Sequence, residues 1–108
     1  MTGHYGCGGI KAAFSQNDFG PLEAWLSHIR ELRSKYRNSL IGTDEQKYDT
    51  LVELNVKQQV VNVARFPIIQ KTWKDGKKLF IHGLVYNLAD GVLKDLGVTL
   101  SRIEHVPS

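Results

Sequence analysis

Leu79-Phe80-Ile81-His82-Gly83-Leu84-Val85-Tyr86 is a nearly continuous apolar run flanked by turn signals. Its length fits a strand better than a helix. A run with so little polar alternation is what a strand buried on both faces requires, as in a parallel sheet. Just downstream, Asp90-Gly91 is a hairpin signal, and residues 92–96 or 98–103 supply the return strand. The C-terminal third is therefore expected to be a buried strand followed by a hairpin.

Upstream of that strand the pattern turns helical. Pro67 begins a short helix over residues 68–73, and Asp75-Gly76 stops it. Thr43-Asp44-Glu45-Gln46 reads as a capping box, and Tyr48, Leu51, Val52, Val56, Val60 and Val63 follow on one helical stripe. The valine-rich end of that stripe also suits a strand. Pro21 stands where a first helical residue would. Leu22, Trp25, Leu26, Ile29, Leu32 and Tyr36 then recur at steps of three and four, with Arg30, Arg33, Lys35 and Arg37 on the other face. Cations crowd the end of that helix, as the helix dipole favours. A short helix over residues 10–14 and a polar turn over 15–20 complete the N-terminal side. The order of glycine turn, helices, buried strand and hairpin is that of an α/β protein with too few strands of its own for a parallel sheet.

At 108 residues and 12.2 kDa the chain has room for one domain, residues 1–108. A chain of this size buries only about two-thirds of the surface it exposes when unfolded. Composition is that of a soluble globular protein, 42% hydrophobic and 23% charged. No run approaches the roughly 18 apolar residues of a membrane span, and the first residues have neither the basic nor the apolar region of a signal peptide. No internal repeat or low-complexity tract is present. The net charge of +3 is compatible with anionic partners without demanding them. A single cysteine, Cys7, excludes an intrachain disulfide and fits a reducing, cytoplasmic setting.

That cysteine lies in Gly3-His4-Tyr5-Gly6-Cys7-Gly8-Gly9, where four of seven residues are glycine. Such density marks a turn where backbone passes close to something. Imidazole and thiolate are preferred zinc donors, and a three-residue step through a glycine lets both converge. The bare His-x-x-Cys spacing leaves two readings open, a metal half-site and a structural turn.

The same stretch resembles the zinc-binding turn of β-class carbonic anhydrases, and the likeness continues along the chain. Trp25-Leu26-Ser27-His28-Ile29-Arg30 resembles that family's W-L-x-H-I-R helix. Glu53-Leu54-Asn55-Val56 with Gln59-Val60 and Asn62-Val63 is similar to its E-L-N-V-x-x-Q-V-x-N helix. Ile81-His82-Gly83, Tyr86, Asp90-Gly91 and Asp95-Leu96 resemble its last buried strand and hairpin. The resemblance implies the C-terminal part of the β-carbonic anhydrase fold and a zinc-hydroxide enzyme that interconverts carbon dioxide and bicarbonate. It implies that His4 and Cys7 are zinc ligands and that the Gly8 N–H faces the substrate oxygen. It also implies a homo-oligomer.

The departure from the family pattern is equally specific. The further cysteine ligand of such enzymes stands in a Cys-x-Asp-x-Arg segment, which this sequence lacks. Its acid and arginine are absent with it, so no catalytic residue is identified in this chain. The expectation is a partial domain with impaired activity: an internal methionine at Met1, an engineered piece, a decayed gene and a split half all stay open. The rival reading is a non-enzymatic, self-associating module, because an apolar strand without partners seeks other chains. Two His4/Cys7 pairs would then meet on one zinc.

Other residues carry simpler readings. His28 is taken as a packing or surface residue, His82 as a hydrogen-bonded core histidine, Tyr86 as core, and His105 as part of a frayed tail. Glu53, Asp90 and Asp95 are assigned to helix-surface pairing, turn formation and hairpin geometry. The cations over residues 28–37 and at Lys71, Lys74, Lys77 and Lys78 read as solvated faces, with no nucleic-acid motif beside them. The glycine turn lacks the order of a phosphate loop.

Overall fold

Thr43 opens the longest element for the reason its sequence suggests. Its hydroxyl accepts a hydrogen bond from Gln46 N at 3.2 Å, and Gln46 Oε1 accepts from Thr43 N at 2.8 Å, so two free helix donors are satisfied reciprocally. The helix α3 runs from Asp44 to Ala64, through the valines that also suited a strand. Leu51, Val52, Val56, Val60 and Ala64 form its buried stripe, and one helical face decides the ambiguity.

The computed structural model describes residues 1–15, 20–87 and 89–106. In chain order these are β1 (Thr2–His4), α1 (Gly8–Ala13), α2 (Glu23–Lys35), α3, α4 (Pro67–Lys74), β2 (Ile81–Asn87) and β3 (Val92–Leu100). Pro67 sits at the start of α4, and Gly76 with φ of 77° ends the turn after it. Pro21 lies in the 3-10 turn Gly20–Leu22 that leads into α2, two residues earlier than a first helical position. Most of the turn expected over residues 15–20 lies outside the described residues, as does Leu88 of the hairpin.

The three strands form one sheet in the order β1-β2-β3. β1 runs parallel to β2, with Thr2 opposite Leu84, Gly3 opposite Val85 and His4 opposite Tyr86. β3 returns antiparallel, so the sheet is mixed and holds one parallel pair. The return strand spans both of the expected stretches. Asp95 and Thr99 stand opposite Leu84 and His82, so four steps on β3 match two on β2. The bulge this creates falls at Gly97, whose φ is 72° and whose N–H donates to Asp95 Oδ1 at 2.8 Å.

The expectation of a strand buried on both faces is corrected here. Ile81, Gly83 and Val85 are buried, but His82 is exposed and Leu84 and Tyr86 are half-buried. α3 packs against all three strands, and Val56 and Val60 lie over Gly3 and Gly83 on the buried side. Among the described residues no helix covers the opposite face, which is why the alternation appears. Leu22 and Trp25 also depart from the expected core stripe. They are 60% and 49% exposed, while Leu26, Ile29 and Leu32 are buried. The Trp25 ring instead lies against Gly9, where an added Cβ would come within 2.6 Å of it.

The core has two parts. One joins α1, α2 and the first half of α3 to Val85, and the other joins Val60 and Ala64 to Trp73, Ile81 and Leu100. Trp73 Nε1 donates to the Leu79 carbonyl at 3.0 Å, which ties α4 to the entry of β2. The radius of gyration is 15.3 Å, against about 13 Å for a compact chain of this length. The molecule is extended because the second core lies along α3 from the first.

Candidate metal centre

The glycines of the first turn each have a separate cause. Gly3 lets β1 lie close on α3, since a Cβ there would stand 2.7 Å from Val56 Cγ2. Gly6 has φ of 74° and turns the chain from β1 into α1. Cys7 is the N-cap residue, with extended φ and ψ of −63° and 122°. Its carbonyl accepts the first helical hydrogen bond, from Lys11 N at 3.2 Å. Gly8 is then the first helical residue, and helix geometry gives its N–H no partner within the helix. Apart from the adjoining residues and the backbone of α1, no atom lies within 4 Å of where a Cβ on Gly6 or Gly8 would stand.

His4 ends β1 with its ring exposed, and Nδ1 lies 3.0 Å from the Tyr5 carbonyl. With Nδ1 donating to that carbonyl, Nε2 carries the lone pair and is the nitrogen left to bind a metal, as is usual for metal-bound histidines. Cys7 is half-buried and not in a disulfide. The donor types therefore suit zinc, but no cluster of three or more His, Cys, Asp or Glu side chains occurs among the described residues. The residues present fit two positions of a zinc site and not a whole one.

Tyr5 points away from His4, toward α3. Its hydroxyl lies near Lys94 and Glu53, and Lys94 Nζ lies 2.9 Å from Glu53 Oε1. Burial, and then the charge of Glu53, push the Tyr5 hydroxyl above its ordinary pKa. The hydrogen bond to Glu53, and then its charge, push Lys94 up as well. Asp49 is raised by burial and by Glu45 and Glu53 nearby. The sequence pointed to Glu53 as a helix-surface pair. It gave no sign of Tyr5 and Lys94, because the hairpin register alone brings Lys94 over α3.

The remaining candidates take structural roles. Asp90 Oδ1 accepts from Val92 N at 3.0 Å in the hairpin. His28 is exposed on α2. His82 is hydrogen-bonded, Nδ1 to Thr99 Oγ1 at 3.0 Å, but it is exposed and stacked on Phe80 and not in the core. Tyr86 is half-buried. The tail is ordered at His105, whose Nδ1 accepts from Ser101 N at 3.2 Å. Arg33 is not merely solvated: it donates to the Ala13 carbonyl at 2.9 Å and lies over the Phe14 ring, joining α2 to α1. No helix is long and apolar enough to cross a membrane among the described residues.

Comparison with known proteins places this turn in a family. The family model for carbonic anhydrase matches residues 1–93. A carbonic anhydrase of Emericella nidulans is 38% identical over 105 residues, which are 95% of this chain and 46% of that protein. The Coccomyxa β-carbonic anhydrase solved in complex with acetazolamide superposes with a TM-score of 0.85 at 38% identity, over 95% of this chain and 48% of that one. A structure described as a tetrameric β-carbonic anhydrase, from Sordaria macrospora, shares the fold with a TM-score of 0.81 at 24% identity, over 92% of this chain and 51% of that one. The chain spans about half the length of these relatives. Over that half the match is continuous in sequence and in structure, and the chain belongs to the carbonic anhydrase family, with the β-class fold.

Proposed function

We propose that His4 and Cys7 are zinc ligands, and that they serve the reversible hydration of carbon dioxide to bicarbonate. The observation that carries this reading is the turn itself. In a chain of this family, β1 ends at a histidine whose Nδ1 is engaged by the Tyr5 carbonyl, and α1 opens at a cysteine.

Bound zinc supplies a hydroxide near neutral pH, because it lowers the pKa of coordinated water to about 7. The contributions of this chain are to hold and to orient. The Tyr5 carbonyl fixes the His4 tautomer, so that Nε2 is the donor. Cys7 gives a sulfur donor from the N-cap of α1. The Gly8 N–H is one of the donors left without a helical partner at the start of α1, and it serves as a donor to a substrate oxygen. Gly6 and Gly3 set the direction of all three.

The chain supplies two of the protein donors that a zinc site needs and no Cys-x-Asp-x-Arg segment. Alone it is expected to have little or no hydratase activity, in a reduced, cytoplasmic setting and as a homo-oligomer. Stopped-flow hydration measured on the zinc-loaded chain tests this. A rate near that of full-length relatives would overturn the expectation of impairment, and failure of Cys7→Ser to lower zinc content would overturn the ligand assignment.

A further inference from the structure

Residues 65–80 run from the end of α3 through α4 to the entry of β2. They hold five of the chain's 14 Lys and Arg but one of its 11 Asp and Glu. Their net charge is +4 against +3 for the whole chain, so the remaining residues together carry −1. The five cations are Arg65, Lys71, Lys74, Lys77 and Lys78, and all are exposed.

α4 sorts its residues by side. Ile69 and Trp73, four residues apart, turn inward onto the second core. Ile68, Lys71 and Lys74, at steps of three, lie on the outward side and are exposed. Ile68 is 72% exposed, and Phe66, the N-cap residue, is 54% exposed. The loop after the helix is tied back to it, with Lys77 N donating to the Thr72 carbonyl at 3.2 Å. Lys77 and Lys78 are thereby held at the C-terminal end of α4. The helix dipole accounts for cations at that end. It gives no reason for Phe66 and Ile68 to stand bare beside them.

We propose that α4 and the residues flanking it dock the protein on an anionic lipid bilayer. Phe66 and Ile68 enter the headgroup layer, and the lysines lie against the acidic headgroups. This docking does not depend on zinc, so it stands or falls separately from the reading of His4 and Cys7.

Three properties select a bilayer as the partner. Four of the five cations are lysines, point charges that neutralise a diffuse anionic surface without needing matched geometry. The two apolar side chains stand outward on a helix, where a soft interface can take them in and a rigid surface cannot. A second copy of the chain carries the same +4 here and is repelled across a two-fold contact. A nucleic acid would also meet the cations, but the aliphatic Ile68 has no ring on which a base could stack.

The test is co-sedimentation of the full chain with vesicles of phosphatidylcholine alone, or of equal parts phosphatidylcholine and phosphatidylserine. Binding is expected to the anionic vesicles and not to the neutral ones, and it should weaken as salt rises. Lys71→Gln with Lys74→Gln is expected to lower the partition coefficient about tenfold or more. Ile68→Ser is expected to lower it about threefold or more. Circular dichroism should be unchanged in both, because the altered side chains are exposed. Lys47→Gln, near the opposite end of α3, is expected to change partitioning by less than about twofold. No binding to anionic vesicles, or equal binding to neutral ones, would overturn the proposal. A loss from Lys47→Gln as large as that from the α4 pair would reduce the attraction to net charge and overturn the surface. Indifference to Ile68→Ser would overturn the insertion. Tighter binding to an RNA oligonucleotide than to the anionic vesicles would assign the surface to nucleic acid instead.

Discussion

Val85 and Leu93 stand on the two strands of one hairpin, yet Val85 is fully buried and Leu93 is 55% exposed. The difference is not hydrophobicity, since both are aliphatic. It is parity along the strand, which sends Val85 to the α3 side and Leu93 to the other. α3 crosses all three strands on one side, and the other side has no cover among the described residues. Stability and the proposed donor therefore lie on opposite faces. The covered face holds the fold, and the uncovered face holds His4. A residue such as His4, on a face that contributes little to the core, can be changed without unfolding the chain.

The largest expected effect is on the covered side. Leu51→Ala removes a fully buried side chain from the middle of the first core. It is expected to cost about 2–5 kcal/mol, the range for such truncations, as read by urea unfolding of the metal-free monomer. A loss below about 1 kcal/mol would mean that α3 is not clamped on the sheet as described.

Gly3→Ala comes next, and it probes where the two sides meet. Its new Cβ would stand 2.7 Å from Cγ2 of Val56, and a buried β-branched neighbour has no alternative rotamer to retreat into. Overpacking of this kind costs about 1–3 kcal/mol. Because β1 would have to lift from α3, zinc affinity is expected to fall along with stability. Loss of stability without any change in zinc affinity would separate the turn from the core.

How much of this was legible in the sequence follows from which interactions are local. The capping box at Thr43, the stop at Gly76 and the Asp90-Gly91 hairpin are written within a few residues, and the structure has all three. The turn with His4 and Cys7 was legible through its glycines and its family likeness. The bare sheet face was not, because an apolar run such as Leu79 to Tyr86 has the same composition whether one face or two are covered. Leu22 and Trp25 misled for a related reason: helical spacing places residues on a stripe but does not say how far a neighbouring element extends over it. The Tyr5–Lys94–Glu53 group depends on the β3 register, which no local signal encodes.

Asp49 offers a smaller test, on the covered side beside Tyr5. Burial, then Glu45 and Glu53, raise its pKa above the ordinary value of 3.8. The unfolded chain therefore releases this proton more readily than the folded one. The group's contribution to stability is present below the unfolded pKa and is lost as pH rises through the folded one. Asp49→Asn cannot ionise, so its melting temperature is expected to exceed the parent's at pH 7, and the gap should close as pH falls through the carboxylate range. Equal melting temperatures at pH 7, or a gap that widens in acid, would place the carboxylate in a more open setting than the structure gives it.

Leu93→Ser is expected to change the stability of the metal-free monomer least, by less than about 0.5 kcal/mol, although it removes as much apolar volume as many core truncations. The reason is that Leu93 has already kept most of its contact with water in the folded chain, so unfolding transfers little more of it. A loss comparable to that of Leu51→Ala would mean that the face is covered within the single chain, and the contrast with Val85 would fail. A negligible loss would leave the position of Leu93 on β3, on the side away from α3, as the whole reason for its exposure.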